Sequence, residues 1–328
     1  MSDIAADVPT HADILDAAER ISTYAVRTPL IAHPTLDART GGRILLKAEN
    51  LQRVGAFKFR GAYNAVSRVD RARYPGGVVA CSSGNHAQGV AAAATLCGLP
   101  SVIVMPQDAP ALKLARTKAF GAEVVTYDRA TGDRDAIAAE LCRKRNAAMI
   151  HPYDDRFVMA GQGTAGLELM AQAKQAGASP DAVLACCSGG GLVGGVAVAA
   201  KAASPSCQVY SVEPAGFDDM ARSLVSGTRE RNARASGSIC DALMAPTPGV
   251  RTFAVAKAML AGGLAITDDE ARVAVRFAFE ELKLVLEPGG AAGLAAVLTG
   301  KLETRGRTIA VILSGGNVDP ALFSEIIR

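Results

Sequence analysis

The sequence predicts an α/β protein with two parallel-sheet domains. From residue 77, short and almost wholly apolar runs alternate with segments of helical periodicity, and strands of that composition are typical of parallel sheets that helices cover on both faces. Similar strands and helices precede and follow this stretch, which indicates an insertion into a larger α/β unit. The chain has 328 residues, 49% of them hydrophobic, which is enough apolar material for two cores.

The first part of the chain is predicted to contribute two helices and a strand to the larger unit. Apolar residues recur at helical spacing within residues 13–24, and Pro29 follows that helix. Residues 43–48 predict a short strand, and residues 57–69 predict the second helix.

The remaining elements define the two domains. In the inserted stretch, strands are predicted at residues 78–81, 101–105, 123–127 and 148–151. Its helices are predicted at residues 84–97, 111–120 and 134–145. Later elements include a helix at residues 161–176 and strands at residues 182–187, 208–213 and 308–313. We therefore expect a large domain of residues 1–76 and 154–328, and a small mobile domain of residues 77–153, with the site in the cleft between them.

The composition excludes several classes of function. Thirty-five basic and 32 acidic residues give a net charge of +3 without a block of like charge, so we expect a small-molecule substrate and no nucleic-acid or membrane partner. Seven cysteines without metal-ligand spacing predict free thiols, and the acidic N-terminus is unlike a secretory signal, so we expect a cytoplasmic protein.

Two stretches have unusual composition. Residues 182–200 carry no charge, but the sequence Ser-Gly-Gly-Gly at residues 188–191 interrupts them, which predicts a strand, a loop and a helix rather than a membrane span. Residues 226–237 are rich in Arg, Ser and Gly and predict a mobile surface loop.

Lys58 is a candidate for covalent catalysis. It lies between Phe57 and Phe59, where partial desolvation would lower the pKa of its amine. An amine that is neutral near pH 7 can form a Schiff base with an aldehyde. The alternative is a lysine at a helix start whose charged end extends past its apolar neighbours into water.

Two glycine-containing loops lie where a strand gives way to a helix. Residues 82–89, Ser-Ser-Gly-Asn-His-Ala-Gln-Gly, are suited to a carboxylate, or form a helix cap only. Residues 188–192, Ser-Gly-Gly-Gly-Leu, are suited to a phosphate, although they lack the Gly-Lys-Ser/Thr of a P-loop. A phosphate site in a chain with a candidate Schiff-base lysine indicates pyridoxal 5'-phosphate, which has both an aldehyde and a phosphate.

Ser314 begins the sequence Ser-Gly-Gly-Asn after the last predicted strand. Its hydroxyl is a candidate partner for the pyridine nitrogen of that cofactor. A neutral partner would leave the nitrogen largely unprotonated, and such a ring is a weaker electron sink, which favours elimination over transamination. The alternative is an ordinary turn.

Taken together, six motifs resemble one family. They are KAENLQRVGAFKFRGA at 47–62, SSGNHAQG at 82–89, HPYDD at 151–155, AGQGT at 160–164, SGGG at 188–191 and SGGNVD at 314–319. In this order and spacing they resemble the threonine/serine dehydratase and serine racemase group of fold-type II pyridoxal-phosphate enzymes, which includes 3-hydroxyaspartate dehydratases. The resemblance covers nearly the whole chain and implies the tryptophan synthase β-like fold.

The resemblance implies roles around the cofactor. Lys58 would form the Schiff base and move the α-proton, Phe57 would pack on the ring, and Asn85 would bond the 3'-oxygen. Ser314 would face the ring nitrogen, and Glu287 would lie near the ring. The phosphate would be held by Ser188, Gly189, Gly190, Gly191 and Leu192.

The resemblance also implies how the substrate is held. The α-carboxylate would lie on Ser83, Gly84, Asn85 and His86. Ser83 occupies the position that serves as second acid/base in racemases of the group. Arg134 matches an arginine near the site in some relatives and would pair with a second carboxylate; the alternative is a solvated helix arginine.

A divalent-cation site is implied by residues 212–219, Val-Glu-Pro-Ala-Gly-Phe-Asp-Asp. Its ligands would be the carboxylates of Glu213 and Asp219 and the carbonyl of Phe217, which suit Mg²⁺, Mn²⁺ or Ca²⁺. The alternative is a solvated helix N-terminus.

Two departures from the family pattern favour a dehydratase over a racemase. Ala56 replaces the usual serine two residues before Lys58, and Pro246 stands where a serine contacts substrate in the racemases. We therefore expect a homodimeric ammonia-lyase that converts L-threonine, L-serine or a 3-hydroxyaspartate to a 2-oxo acid and ammonia. The alternatives are a serine or aspartate-type racemase with side dehydratase activity, a ligand-sensing relative without catalysis, and a β-replacement synthase.

Overall fold

The computed structural model describes residues 7–82, 84–109, 111–128 and 131–328, except for the side chain of Leu112. Within these residues the chain forms a six-stranded and a four-stranded sheet with helices around them. The predicted α/β class is confirmed, including the parallel strands.

The larger sheet has the strand order β1-β2-β10-β7-β8-β9. Its strands are β1 Leu30–Ala32, β2 Arg43–Lys47, β7 Ala182–Cys186, β8 Gln208–Pro214, β9 Gly262–Ile266 and β10 Thr308–Ile312. All neighbours are parallel except β1 and β2, which are antiparallel.

The smaller sheet is wholly parallel, with the order β5-β4-β3-β6. Its strands are β3 Val78–Cys81, β4 Ser101–Pro106, β5 Glu123–Tyr127 and β6 Ala148–Met149. All four lie within the predicted insertion.

Thirteen α-helices lie in the described residues. They are α1 His11–Ile21, α2 Pro34–Thr40, α3 Lys58–Val66, α4 Asn85–Leu96, α5 Ala111–Ala119, α6 Arg134–Arg145, α7 Arg156–Gln175, α8 Gly191–Ala203, α9 Asp219–Ser226, α10 Val250–Met259, α11 Asp268–Glu280, α12 Ala292–Leu298 and α13 Pro320–Ile327. None of the helices in this part of the chain is both long and apolar enough to cross a membrane.

Most predicted boundaries agree with the structure to within three residues, but α7 begins five residues before the prediction. The carboxylate of Asp155 accepts a hydrogen bond from the backbone N–H of Val158 at 2.8 Å and caps the helix there. This cap satisfies an N–H group that has no partner within the helix, so the helix starts at Arg156.

The fold brings several strand ends together. In the larger sheet β7 and β10 are parallel neighbours, so their carboxyl ends, which precede Ser188 and Ser314, lie side by side. In the smaller sheet β3 ends at Cys81, shortly before α4. Ligands of open parallel sheets bind beyond such carboxyl ends. All seven cysteines are free thiols, as predicted.

Candidate active site

A cavity of about 190 Å³ lies where the carboxyl ends of the two sheets face each other. Most of the predicted cofactor and substrate residues line it, namely Phe57, Lys58, Gly84, Asn85, His86, Arg134, Ser188, Gly189, Gly190, Gly191, Leu192, Glu287 and Ser314. Ser83 lies outside the described residues. Segments far apart in the sequence therefore meet at one site.

Lys58 is the first residue of α3, and its amine lies at the wall of this cavity. Its Nζ donates a hydrogen bond to the carbonyl oxygen of Pro152 at 2.7 Å and lies 5.1 Å from the centroid of the Phe57 ring. Burial lowers the pKa of Lys58 to about 8. The neutral amine, which is the nucleophilic form, is therefore accessible near physiological pH.

The loop at 188–190 and the N-terminus of α8 form a cradle for an anion. Gly190 has a φ of +98°, and a Cβ on Gly189 would lie 2.3 Å from the ring of Tyr153, so both positions require glycine. The Ser188 Oγ accepts the Ala245 N–H at 3.1 Å, which directs its own hydroxyl hydrogen elsewhere. The hydroxyl and the helix N-terminus suit a phosphate.

Thr252, on α10, forms a hydrogen bond with this loop. Its Oγ1 donates to the carbonyl oxygen of Gly189 at 2.6 Å, and the Gly249 N–H donates to the same oxygen at 3.2 Å. These two hydrogen bonds attach the loop to the N-terminal end of α10.

Asn85 and Glu287 join the two sheets across the cavity. Asn85 is the first residue of α4, and its Nδ2 donates to Glu287 Oε1 at 2.5 Å. The Glu287 side chain is buried, and burial, together with the charge of Asp241, raises its pKa to about 7. The carboxyl group is thus near its titration point at physiological pH.

Glu287→Gln is expected to change how stability depends on pH. A carboxyl whose pKa rises from 4.5 to about 7 on folding carries a penalty that is absent below pH 4.5 and grows until pH 7. By the relation of about 1.4 kcal/mol for each pKa unit, that penalty reaches about 3 kcal/mol. In the apoprotein, the glutamine variant should therefore gain stability relative to wild type between pH 5 and pH 8, as measured by urea unfolding. A difference in unfolding free energy between the variant and wild type that stays constant with pH would contradict the raised pKa of Glu287.

Ser314 presents a neutral group to the cavity. Its Oγ accepts a hydrogen bond from Cys186 Sγ at 3.0 Å, and its carbonyl oxygen accepts the Phe57 N–H at 3.0 Å. Burial raises the pKa of Cys186 to about 11, so the neighbouring thiol is also neutral. Hydroxyl and thiol, rather than a carboxylate, therefore occupy this part of the wall.

His86, the second residue of α4, is a neutral imidazole. Its Nε2 lies 3.0 Å from the carbonyl oxygen of Ile150, and its buried Nδ1 has no partner within the described residues. Burial and the nearby charge of Lys58 lower its pKa to about 3. An N–H on Nε2 bonded to Ile150 leaves Nδ1 as an acceptor. His86 therefore shapes the site without adding charge.

Arg134 lies at the edge of the cavity as the first residue of α6. Its side chain is 46% exposed, and its Nε lies 3.4 Å from the carboxylate of Asp135. This weak surface pair leaves the guanidinium able to turn toward a ligand.

Glu213 and Asp219 form a second, separate cluster beyond the cavity wall. The two carboxylate oxygens of Glu213 accept the N–H groups of Met220 and Ala221 at 3.0 and 2.8 Å. Burial and the charge of Asp219 raise the pKa of Glu213 well above its usual value. Burial raises the pKa of Asp219 to about 6, and its Oδ2 is buried without a partner in the described chain.

The donors of this cluster suit a hard cation only if the backbone takes part. The described residues hold no group of three or more His, Cys, Asp or Glu side chains that could bind a metal ion. When these two buried carboxyl groups are ionised, one of them with an unpartnered oxygen, a cation would offset their negative charge. A third protein ligand would have to be a carbonyl such as that of Phe217.

Sequence reasoning missed several residues of the site. The motif at 151–155 was assigned no role, yet the Pro152 carbonyl holds Lys58 and the Tyr153 ring covers the glycine loop. Lys113 also lines the cavity and pairs with Asp241 across it. These contacts join residues far apart in the sequence, so no local pattern predicts them.

Comparisons with known proteins agree with the geometry. The family model described as "Pyridoxal-phosphate dependent enzyme" matches residues 21–315. The chain is 42% identical over 316 residues to an L-threo-3-hydroxyaspartate ammonia-lyase of a Pseudomonas species, covering 96% of this chain and 98% of that protein. It is 38% identical over 320 residues to a serine racemase of Schizosaccharomyces pombe, covering 98% of each. The crystal structure of a threonine deaminase from T.th. has a TM-score of 0.89 and 44% identity, covering 95% of this chain and 99% of that one.

Proposed function

The chain belongs to the family of pyridoxal-phosphate dependent enzymes, and from this we propose that it is an ammonia-lyase for a small β-hydroxy-α-amino acid. The resemblance drawn from the six motifs is thereby confirmed. The reaction eliminates water from L-threonine, L-serine or a 3-hydroxyaspartate. Tautomerisation and hydrolysis of the released enamine then yield a 2-oxo acid and ammonia.

The position of Lys58 is the observation that carries this proposal. Its amine faces the same cavity as the glycine loop, so one side of the site suits an aldehyde and another suits a phosphate. Pyridoxal phosphate, when bound, withdraws electrons from the α-carbon of the substrate. Lys58 Nζ takes the α-proton, and its lowered pKa makes the required neutral amine available.

The other cavity residues hold and tune the cofactor in this proposal. Phe57 would pack on the ring, Asn85 would donate to the 3'-oxygen, and Glu287 accepts a hydrogen bond from Asn85. Ser314 would offer the ring nitrogen a neutral partner. The phosphate would be held by Ser188, Gly189, Gly190, Gly191 and Leu192.

The N-terminus of α4 binds the substrate carboxylate in this proposal. Gly84, Asn85 and His86 line the cavity there, and Ser83, which lies outside the described residues, would complete the set that the resemblance implies. Among the described residues other than its chain neighbours, no atom lies within 4 Å of a Cβ built on Gly84, which leaves space beside it for a substrate. Because burial and the charge of Lys58 lower the pKa of His86, its imidazole adds no positive charge to this part of the site.

A racemase with side dehydratase activity is the second candidate. The match to a serine racemase favours it, while Ala56 and Pro246 depart from the racemase pattern. In a racemase, Ser83 would deliver or remove the proton on the face opposite Lys58. A Ser83→Ala variant would then lose exchange between enantiomers but keep part of the elimination from the L form.

A divalent cation completes the proposed site at Glu213, Phe217 and Asp219. The unpartnered Oδ2 of Asp219 and the charge repulsion with Glu213 support Mg²⁺, Mn²⁺ or Ca²⁺ there. The cation would neutralise the pair. We also propose that residues 77–153 move as a small domain against the large domain of residues 1–76 and 154–328, and that the protein is a cytoplasmic homodimer.

The proposed function is tested by measuring 2-oxo acid and ammonia from L- and D-serine, L-threonine and the 3-hydroxyaspartate stereoisomers. Chiral analysis of the remaining substrate, with and without EDTA, belongs in the same experiment. We expect oxo acid from at least one L-substrate and less of it after EDTA. Inverted substrate without oxo acid would replace the ammonia-lyase with the racemase.

Arg134→Ala is expected to lower kcat/KM for the preferred 3-hydroxyaspartate by at least about tenfold and leave kcat/KM for L-serine within about twofold. The reason is that a charge-assisted pair to a second carboxylate is worth about 1.5–3 kcal/mol, whereas serine has no such group. Arg143→Ala, on the same helix, is the matched control and should change neither value. Equal losses of kcat/KM on both substrates would show that Arg134 does not select between them.

A further inference from the structure

Asn317 lies behind the cavity and makes three hydrogen bonds. Its Oδ1 accepts from Arg116 Nη1 at 3.0 Å. Its Nδ2 donates to the carbonyl oxygen of Val54 at 2.8 Å and to Asn85 Oδ1, also at 2.8 Å. Gly55 has a φ of +73°, and a Cβ there would lie 2.8 Å from Asn317 Oδ1, so the glycine permits this close approach.

The partners of Asn317 allow only one orientation of its amide. The guanidinium of Arg116 can only donate and the carbonyl of Val54 can only accept, so Oδ1 must face the first and Nδ2 the second. The second hydrogen of Nδ2 then points to Asn85, which must present its Oδ1. Arg116 and Val54 therefore determine which amide groups donate and which accept along this series of hydrogen bonds.

The same polarity determines what Asn85 presents to the cavity. With its Oδ1 held by Asn317, the Nδ2 of Asn85 faces Glu287, 2.5 Å from Oε1, and keeps a second hydrogen for a ligand. The opposite orientation would bring the Asn85 oxygen against the Glu287 carboxyl oxygen and turn an acceptor toward any oxygen of a ligand. The contact with Glu287 would be repulsive when its carboxyl group is ionised, and the contact with the ligand would be repulsive for any oxygen that can only accept.

We propose that Asn317 is a positioning residue that fixes the Asn85 amide with its NH₂ group toward the cofactor. Asn317 does not line the cavity, so it acts through Asn85. The inference rests on the proposed function, because it takes the cofactor oxygen as the acceptor for Asn85. This role explains why the residue that follows Gly315 and Gly316 is an asparagine, because both the oxygen and the NH₂ group of its amide make hydrogen bonds.

The test is a double-mutant cycle on cofactor binding to the apoenzyme. Asn317→Asp keeps the shape but replaces the NH₂ donor by an acceptor. We expect Asn317→Asp and Asn85→Ala each to raise the Kd for pyridoxal phosphate by about tenfold, the effect of losing one hydrogen bond. The double variant should bind pyridoxal phosphate no more weakly than Asn85→Ala alone, because Asn317 affects cofactor binding only through the side chain of Asn85. Titration of the absorbance of the bound cofactor measures each Kd.

Asn146→Asp is the matched control, since it makes the same charge change at an exposed asparagine at the end of α6. Its Kd should equal that of wild type. Circular dichroism and the thermal midpoint of each apoprotein establish folding, and Asn317→Ala takes the place of Asn317→Asp in the cycle if the aspartate variant does not fold.

Two results would overturn the inference. One is an unchanged Kd for pyridoxal phosphate in the folded Asn317 variant. The other is that the Asn317 substitution raises this Kd by the same factor in the wild-type background and in the Asn85→Ala background. Failure of the wild-type protein to bind pyridoxal phosphate would instead overturn the proposed function itself, so the two failures are distinguishable.

Discussion

Replacing Lys58 by alanine is expected to lower the rate of 2-oxo acid release by at least about 10⁴-fold while the protein still folds. General acid-base catalysis alone contributes about 10²–10⁴-fold, and the variant also loses the amine that we propose to bind the cofactor aldehyde. The fold should survive because Lys58 lies at the cavity wall, where water can replace its bond to the Pro152 carbonyl.

Two measurements check this expectation. A coupled assay gives the rate of oxo acid release, and the absorbance band near 410 nm, roughly the region of the protonated Schiff base, should be absent in the variant. Lys174→Ala is the matched control, since Lys174 is an exposed lysine in the last turn of α7. A folded Lys58→Ala protein with more than about 1% of wild-type activity is incompatible with a catalytic role of this size.

Arg60→Ala is expected to destabilise the protein by about 3–5 kcal/mol, the usual cost of removing one partner of a buried ion pair. Arg60 is fully buried two residues after Lys58, and its guanidinium donates to both oxygens of Glu49 at 2.7 and 2.8 Å. It also donates to both oxygens of Glu168 at 2.8 and 2.9 Å. Alanine would leave the buried Glu49 charge without its guanidinium partner.

The control for Arg60 is a pair of similar geometry at the surface. Arg145 also binds a carboxylate with two nitrogens, both at 2.6 Å from Glu123, but its side chain is 39% exposed. Arg145→Ala should therefore cost no more than about 1 kcal/mol. Urea unfolding of both variants measures the difference, and equal losses would show that burial does not determine the strength of the Arg60 network.

The Arg60 network also connects stability with the site. Glu49 follows β2 and Glu168 lies on α7, so the network holds the start of α3 against the larger sheet and a long helix. Lys58 is the first residue of α3. The helix that carries the proposed catalytic lysine is therefore held in place by buried ion pairs next to that lysine.

The elements were predictable wherever the signal is local. Strands at 78–81 and 123–127 and the helix at 134–145 agree with the prediction to the residue, because runs of apolar side chains and helical spacing are properties of short windows. The short antiparallel β1 was missed, since three residues carry too little pattern. The edge strand β9 was also missed, and it begins with two glycines, which are poor strand formers.

The segment at residues 226–237 is a surface loop, as its Arg, Ser and Gly content predicts, since most of its residues are exposed and no strand or helix follows Ser226 within it. What composition did not predict is that Asn232 within this loop is buried. The Nδ2 of Asn232 donates to Asp219 Oδ1 at 2.6 Å and to the Ala245 carbonyl oxygen at 2.8 Å. This contact ties the loop to the proposed cation site and to the segment that contacts Ser188.

By itself the sequence determined the fold class, the family and about half of the cavity residues, because Lys58, the glycine loops and Ser314 stand in short motifs that can be read directly from the chain. Only the tertiary structure decided how these groups are oriented. Asn85 and Glu287 are 202 positions apart, and Asn317 meets Asn85 across 232 positions. Contacts of that kind depend on the packing of one sheet against the other, so the polarity of the hydrogen bonds at the proposed cofactor site becomes defined only when the whole chain has folded.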